Sequence, residues 1–542
     1  MANTRDRAYG IILALALVMV FALYCTTINP ELSELSGDSA RFLLLAKSLA
    51  TGRGYAQIEK PGDPPHADAK PGLSVMIAPL YHFRPHDLRP VKLLMVLCAL
   101  GIPLSFYLFL FREHRSARCA LALTMALVPF MLRFQVQIFS DLPQVVFILL
   151  GFYSAEKLRD RQNAKFIPWF LAGIFMAAGF LVRQLVGLAF ASVIASLLFA
   201  RGLPRLKAIA AYALGFFPPI LLLYLRNYLV AGQLETIYNS SVWMGAGRSP
   251  FANTLTILGM AGRVWRRLEL YGLHQMRDLL LGTGWHGSIA LWALLMAFLL
   301  AGFLHELLKR KNSAAIFFIP YLLVSATWQN WAPRYLLPLL PLALFFIYRG
   351  FTLAAGIIFK SETMRKWLPA QIFSAWAVFN LVRLMPVVSF QHSAMLYPPE
   401  PLLAAEKESV QLIGRKNFAF YPDALDWREK GEAYLISKQA RYYHFFAMAE
   451  WARRNLRPEE VVVCRLPNQF AWLSGVKSIQ YPVELDAEKF WRESIKRRGG
   501  YLLIEEISPE LRPILFQFWQ SRPEKFKLEK QLGRTYLLRI IG

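Results

Sequence analysis

Cysteine is scarce in this chain, four among 542 residues. Cys25, Cys98 and Cys119 fall in or beside apolar runs and Cys464 stands alone near the C-terminus, a pattern that excludes a disulfide framework and a cysteine-based zinc site. Charge is scarce too, at 18% Asp, Glu, Lys and Arg, against about a quarter in soluble domains. Acids are the rarer sign, 36 against 61 basic residues, for a formal net charge of +25. No internal repeat and no low-complexity tract interrupts the chain. No A-x-A-like cleavage site follows the first apolar run, about 9–28, which Arg5 and Arg7 precede. That run is too long for a signal-peptide h-region and reads as a retained transmembrane helix.

What the chain has in excess is hydrophobic residues, 56% of the total, with a mean hydropathy of +0.35. They gather into about eleven runs of membrane-spanning length: 9–28, 89–111, 119–135, 141–155, 166–182, 184–200, 207–228, 286–308, 314–330, 335–350 and 368–388. The fold class is therefore a polytopic α-helical membrane protein. Alternate connections are basic: Arg5 and Arg7; Arg112, Arg115 and Arg118; Lys157, Arg159, Arg161 and Lys165; Arg201, Arg205 and Lys207; Lys309, Arg310 and Lys311; Arg349, Lys360, Arg365 and Lys366. The positive-inside rule places all of these, and the N-terminus, in the cytoplasm. The net charge then needs no nucleic acid as partner; membrane lipids suffice.

The remaining connections face outward: a long first loop at about 29–88, a tight one near 136–141, a further loop at about 229–285, and a turn at Trp331–Pro333. An odd number of spans puts the tail on the outer side as well. Two domains follow, a transmembrane domain over 1–388 and an outward soluble domain over 389–542. The tail alternates charged helical stretches such as "AMAEWARRNL" with β-like runs such as "EEVVVCRL", "GGYLLIEEI" and "RTYLLRIIG", which predicts a small α/β or α+β domain.

Ionisable residues at a membrane face are costly unless paired or used, and the outward face collects several. Asp38 opens the apolar helix "SARFLLLAKSLA", placed to lie on the membrane surface, with Gly52 or Gly54 to end it. Asp141 sits in "IFSDLPQVVF". Each acid either caps its helix or works as a general base or its partner. In "HADAKPGLSVMIAPLY", Lys70 precedes a Pro71–Gly72 turn and either snorkels to headgroups or binds a phosphate. His66 and Asp68 lie close enough in sequence to join Asp38 around a divalent metal, though no ligand spacing supports one. Arg334, beside Tyr335 in "WQNWAPRYLLPLLP", and Arg183, in "FLVRQLVG", break the charge rule by being outward. Their guanidinium groups suit either lipid headgroups or a bound phosphate.

At these residues the sequence resembles the GT-C glycosyltransferases, above all the dolichyl-phosphate-mannose protein mannosyltransferases and the bacterial transferases that add aminoarabinose to lipid A. "GDSARFLLLAKSL" is similar to their first-loop motif through Asp38, Arg41 and Phe42, with Ser39 where the family usually has Glu. "KPGL" resembles their Lys-Pro-Pro-Leu turn, "SDLP" their second acid, and "RYLLPLLP" a later arginine–tyrosine segment. The resemblance covers about residues 9–350, with the tail similar in outline to the soluble domain of bacterial relatives. It implies inverting sugar transfer from a polyprenyl-phosphate-linked donor to an acceptor hydroxyl, on the periplasmic side of the bacterial inner membrane. It further implies Asp38 as general base, Asp141 as supporting acid, phosphate contacts from Lys70, Arg334 and Tyr335, and a supporting role for Arg41; the outward position of Arg183 adds it to the phosphate-binding candidates, and His66, near Lys70, to the supporting ones. The acceptor stays open among a protein, lipid A, a polysaccharide and a glycolipid.

The competing readings are a secondary transporter, which would carry repeats or paired broken helices with midplane charges, and another lipid-linked-sugar ligase or flippase. A reporter active only in the periplasm, fused after Gly542, is expected to be active. Activity only of a cytoplasmic reporter at that position would reverse the orientation of every loop.

Overall fold

The computed structural model describes residues 2–28, 32, 37–84, 87–129, 131, 137–162, 165–199, 205–232, 256–281, 289–328, 332–396, 411–412, 442–481, 491–492, 499–507 and 511–541. Helices occur at each predicted run. They are α1 (Ala2–Cys25), α2 (Gly37–Ala50), α3 (Gly72–Phe83), α4 (Arg89–Phe109), α5 (Arg115–Ala126), α6 (Asp141–Asp160), α7 (Phe166–Val182) and α8 (Val186–Leu198). The chain continues through α9 (Arg205–Ala231), α10 (Ile257–Glu269), α11 (Met276–Leu281), α12 (Ile289–His305), α13 (Ser313–Thr327), α14 (Leu340–Ile358) and α15 (Glu362–Leu396). Among the described residues, six segments are long and apolar enough to cross a membrane, and α7, α8 and α13 are shorter apolar helices. The run predicted at 119–135 is helical over Arg115–Ala126, and residues 132–136 lie outside the described part. The last helix extends past 388 to Leu396. Of the turn at Trp331–Pro333, Ala332 and Pro333 are described, and of the loop at 229–285, residues 233–255 and 282–285 are not.

The helices pack pairwise around one apolar core, α7 on α9, α12 on α14, α4 on α6 and α5 on α15. Lipid tails offer no hydrophobic drive for helices to associate, so close backbone approach matters more than in water. The α12–α14 pair illustrates this. A Cβ added to Gly302 would stand 2.0 Å from the Phe346 carbonyl oxygen, and one added to Gly350 would stand 2.0 Å from that of Phe298.

One end of the bundle is tied by buried ion pairs. Arg112 binds Glu156 at 3.0 Å and also Asp160. Arg349 bridges Glu113 at 2.5 Å and Glu306 at 2.9 Å. Glu156 also accepts from the Ser313 hydroxyl at 2.8 Å, and Glu306 from the Asn312 amide at 3.2 Å. Arg112 and Arg349, which the charge rule assigned to cytoplasmic connections, are thus neutralised by acids with almost no exposure, Glu156 at 2% and Glu306 at 0%. The 20 residues of α6 span about 28 Å, carrying Asp141 at one end and Glu156 and Asp160 at the other. The basic connections therefore gather opposite the end that holds Asp141.

The tail forms a mixed five-stranded sheet of order β2-β1-β3-β5-β4. Helix α16, over 442–455, precedes β1 (Val461–Cys464). Then come α17 (Pro467–Ser474), β2 (Lys477–Gln480), β3 (Tyr501–Ile504), a helix at Arg512–Ser521, β4 (Phe526–Leu532) and β5 (Thr535–Ile540). β1 pairs in parallel with β2 and β3, and the β4–β5 hairpin adds antiparallel to β3. The three predicted strands are β1, β3 and β5.

This domain sits on the first loop, and that changes the reading of α2. The helix is not spread on a membrane surface. Phe42, Leu43, Leu44, Leu45 and Ala46 are all buried, as expected for a helix apolar on every side. Leu44 packs with Ile58 and Ala471 of α17, and Tyr81 of α3 meets Trp472 edge to face at 6.0 Å. Gly52, at φ 73°, lies just past the helix end, as the sequence predicts. The Lys477 ammonium donates to the carbonyls of Ile58 at 2.6 Å and Lys60 at 3.1 Å and pairs with Asp63.

Gly302→Ala is expected to force α12 and α14 apart and to cost roughly 1–3 kcal/mol. A lower unfolding midpoint in detergent would report it, and an unchanged midpoint would contradict the backbone contact.

Candidate active site at one end of the bundle

Three segments distant in sequence converge at the end opposite the buried Glu156–Glu306 cluster. They are the start of α2, the turn over 138–140 that enters α6, and the 3-10 helix Pro333–Leu339 that leads into α14. The Ser39 hydroxyl donates to the Ile138 carbonyl at 3.0 Å and ties the first to the second. The position where the family carries Glu is thus spent on a backbone contact.

Asp38 lies in the first turn of α2, where the helix dipole favours a negative charge. Its two oxygens are taken by guanidinium groups. Arg41 Nη2, one turn on, donates to Oδ1 at 2.6 Å, and Arg334 Nη2 donates to Oδ2 at 2.8 Å. Burial alone would raise the carboxyl pKa, but Arg41 and Arg334, with Arg183 farther off, outweigh it and hold Asp38 well below the usual carboxylate range. The local reading as a helix cap gives way to a carboxylate held between two cations.

A second pair stands beside the first. Arg183, just past the end of α7, donates to Asp141 Oδ2 at 2.7 Å and to the Ser140 hydroxyl at 3.3 Å. Tyr335 links the pairs, with the Arg183 guanidinium 5.7 Å and that of Arg334 5.5 Å from its ring centroid. Arg334 also covers the Phe139 ring at 4.2 Å. The Nε of Arg334 and that of Arg41 are buried donors with no acceptor among the described residues. Asp38, Arg41, Asp141, Arg183, Arg334 and Tyr335 are therefore one group in space.

Lys70 is 5% exposed, its ammonium 4.8 Å from the Tyr224 ring centroid and 5.5 Å from that of Phe180. It is held over aromatic faces and does not snorkel. The turn that carries it presses on the end of α7: a Cβ on Gly72 would fall 2.7 Å from the backbone of Leu181 and Val182. Glycine stands where the family has its second proline because the α7 backbone occupies the space, one residue short of Arg183.

His66 is 2% exposed and accepts the Ala69 N–H on Nε2 at 2.8 Å. Burial, with Arg41, Lys60 and Arg226 nearby, pushes its pKa down to about 3 and keeps the ring neutral. Among the described residues no three His, Cys, Asp or Glu side chains are placed to hold a metal ion. With Nε2 already engaged, the residues present do not fit the His66–Asp68–Asp38 metal site raised by the sequence.

Two residues not singled out in the sequence hold the first loop in place. Arg226, near the end of α9, donates to the carbonyls of His66 at 2.5 Å and Tyr55 at 3.0 Å, and the Asn227 amide donates to that of Ala67 at 3.3 Å. The signal was present, since Arg226, like Arg183 and Arg334, lies at the end of an apolar run outside the set of basic connections.

The fold matches solved structures. ArnT from Cupriavidus metallidurans bound to undecaprenyl phosphate is 13% identical, with 99% of this chain and 98% of that one covered at a TM-score of 0.52. Its apo state is 11% identical, covering 100% and 99%, at 0.53. The Archaeoglobus fulgidus oligosaccharyltransferase tethered with an acceptor peptide is 10% identical, covering 95% and 72%, at 0.51. No family model and no curated protein sequence matches the chain. At these identities the likeness is one of fold.

Asp141 is 1% exposed and its partner Arg183 18%. Removing one partner of a buried pair costs about 3–5 kcal/mol. Asp141→Asn should lower the unfolding midpoint accordingly, and Asp141→Asn with Arg183→Gln should recover part of the loss. Simple additivity of the two substitutions would show the pair to be uncoupled.

Proposed function

We propose that this protein is a membrane glycosyltransferase that moves a sugar from a polyprenyl-phosphate-linked donor to an acceptor hydroxyl, with inversion. In this reading it acts at the periplasmic face of the bacterial inner membrane. The basic, ion-paired end of the bundle faces the cytoplasm, and the tail domain is periplasmic. The observation that carries the proposal is the Asp38 carboxylate gripped by Arg41 and Arg334, with a buried Arg334 Nε still lacking an acceptor. The likeness in fold to an ArnT bound to undecaprenyl phosphate supports the donor class.

The chemistry follows from these groups. Asp38 takes the proton of the acceptor hydroxyl as its oxygen bonds to the anomeric carbon, from the face opposite the phosphate. The bond from that carbon to the phosphate oxygen breaks, and its electron pair leaves with the polyprenyl phosphate. Arg334 and Lys70 stabilise the charge that grows there. Asp141 keeps Arg183 in place, and Tyr335 spaces Arg183 from Arg334. A phosphate that meets the unused Nε of Arg334 draws the guanidinium away from Asp38, so the arriving donor competes with Asp38 for one cation. Losing that contact raises the basicity of Asp38 at the moment a base is needed.

Deletion of the protein should remove one sugar from the surface glycans, lipids or glycopeptides seen by mass spectrometry. Asp38→Asn should fail to restore it, yet bind undecaprenyl phosphate severalfold more tightly, because Arg334 is released. Restoration by a folded Asp38→Asn protein would remove Asp38 from the base role. The free carboxyl is held low, so the acid limb of kcat/KM should lie below the ordinary aspartate value near ~3.9, and that of kcat, with donor bound, should lie higher.

A further inference from the structure

A cavity of about 740 Å³ lies between the first loop and the tail domain, within the ~300–1,000 Å³ range of small-molecule sites. Arg41, Glu59, Lys60 and His66 line one side, and Asn468 and Gln480 line the other. The cavity reaches the candidate active site through a single side chain, since Arg41 also binds Asp38 at 2.6 Å.

Two residues of the lining carry buried donors without acceptors among the described residues. His66 Nε2 accepts from Ala69, so the ring hydrogen of the neutral imidazole is on Nδ1. That Nδ1 has no hydrogen-bond partner among the described residues, nor has the Nε of Arg41. Buried polar atoms are normally satisfied, and such exceptions need a reason; a bound ligand with acceptor oxygens supplies one.

The lining also narrows the class of ligand. Arg41 and Lys60 are balanced by Glu59 and Asp68, and the histidine is neutral, so there is no surplus of cations for a phosphorylated headgroup. An extended peptide would add to the outer edge of β2, but that edge is already in use. The Ser478 N–H donates to the Glu59 carbonyl at 2.8 Å, and the Lys477 ammonium occupies the carbonyls of Ile58 and Lys60. What remains is a mixture of carboxylates, amides and single donors beside the flat apolar faces of Pro61, Pro64 and Pro467. Vicinal hydroxyls and C–H faces of sugars match that mixture.

We propose that this cavity binds the acceptor and that the acceptor is a neutral, hydroxyl-rich carbohydrate, whose oxygens receive hydrogen bonds from His66 Nδ1 and Arg41 Nε. This rests on the transferase reading above: one hydroxyl of that carbohydrate, presented beside Arg41, is the one Asp38 deprotonates.

The test is saturation-transfer NMR on the full-length protein in detergent. The probes are neutral gluco-, manno-, galacto- and N-acetylglucosamine oligosaccharides, lipid A, and a Ser/Thr-containing peptide. Transfer to a neutral oligosaccharide is expected, falling about tenfold in a folded Asn468→Ala/Gln480→Ala protein and, as an independent variant, in Lys60→Ala. Three results would overturn the proposal: no transfer to any neutral oligosaccharide, preference for lipid A or the peptide, or transfer undiminished in both variants. Undecaprenyl phosphate binding is measured on the same sample. Its absence would count against the donor reading, and the oligosaccharide signal decides the cavity independently.

Discussion

A single carboxylate shared by two guanidinium groups organises this end of the molecule. Asp38 reaches Arg41 within its own helix and Arg334 across 296 residues of sequence. That long contact fixes α2 against the start of α14, and Tyr335 then fixes the separation from the Arg183–Asp141 pair. An isolated acid half out of water would rise in pKa and lose its charge; here the two cations keep it charged and directional. The same cations limit its strength as a base, so reactivity in the proposed reaction depends on which anion Arg334 is serving.

The bundle handles charge differently at its two ends. Opposite the site, Glu113, Glu156 and Glu306 are closed off by arginines and by Ser313 and Asn312. Around Asp38 several donors are left over, on Arg41, Arg334 and His66. At the far end the contacts run from carboxylate to guanidinium, and Arg349 Nε and Glu306 Oε1, 2.9 Å apart, meet as an ion pair without hydrogen-bond geometry.

Much of this was readable in the sequence. Apolar length located the helices, and the alternation of basic connections separated the two ends of the bundle. The outward arginines Arg183 and Arg334 stood out by breaking that alternation, and the short motifs around Asp38, Asp141 and Lys70 marked the residues worth following. The buried Glu156 and Glu306 were missed because the charge rule weighs Lys and Arg and gives acids little account. The burial of α2 was missed for another reason: its cover comes from Ala471 in the tail domain, and local amphipathicity cannot tell a lipid surface from a protein one. The pairing of Asp38 with Arg334 has no local signal at all.

Helix α6 has one further consequence. It is a rod of 20 residues whose two ends are each locked into an ion-paired cluster, about 28 Å apart. That length is close to a hydrocarbon thickness of ~30 Å. Because neither end can slide without breaking a buried pair, the distance between the Asp38 group and the opposite cluster is set by the rod and not by the bilayer. A thinner or thicker membrane must tilt the bundle or deform around it, and the depth at which a lipid headgroup meets Asp38 would shift with lipid composition.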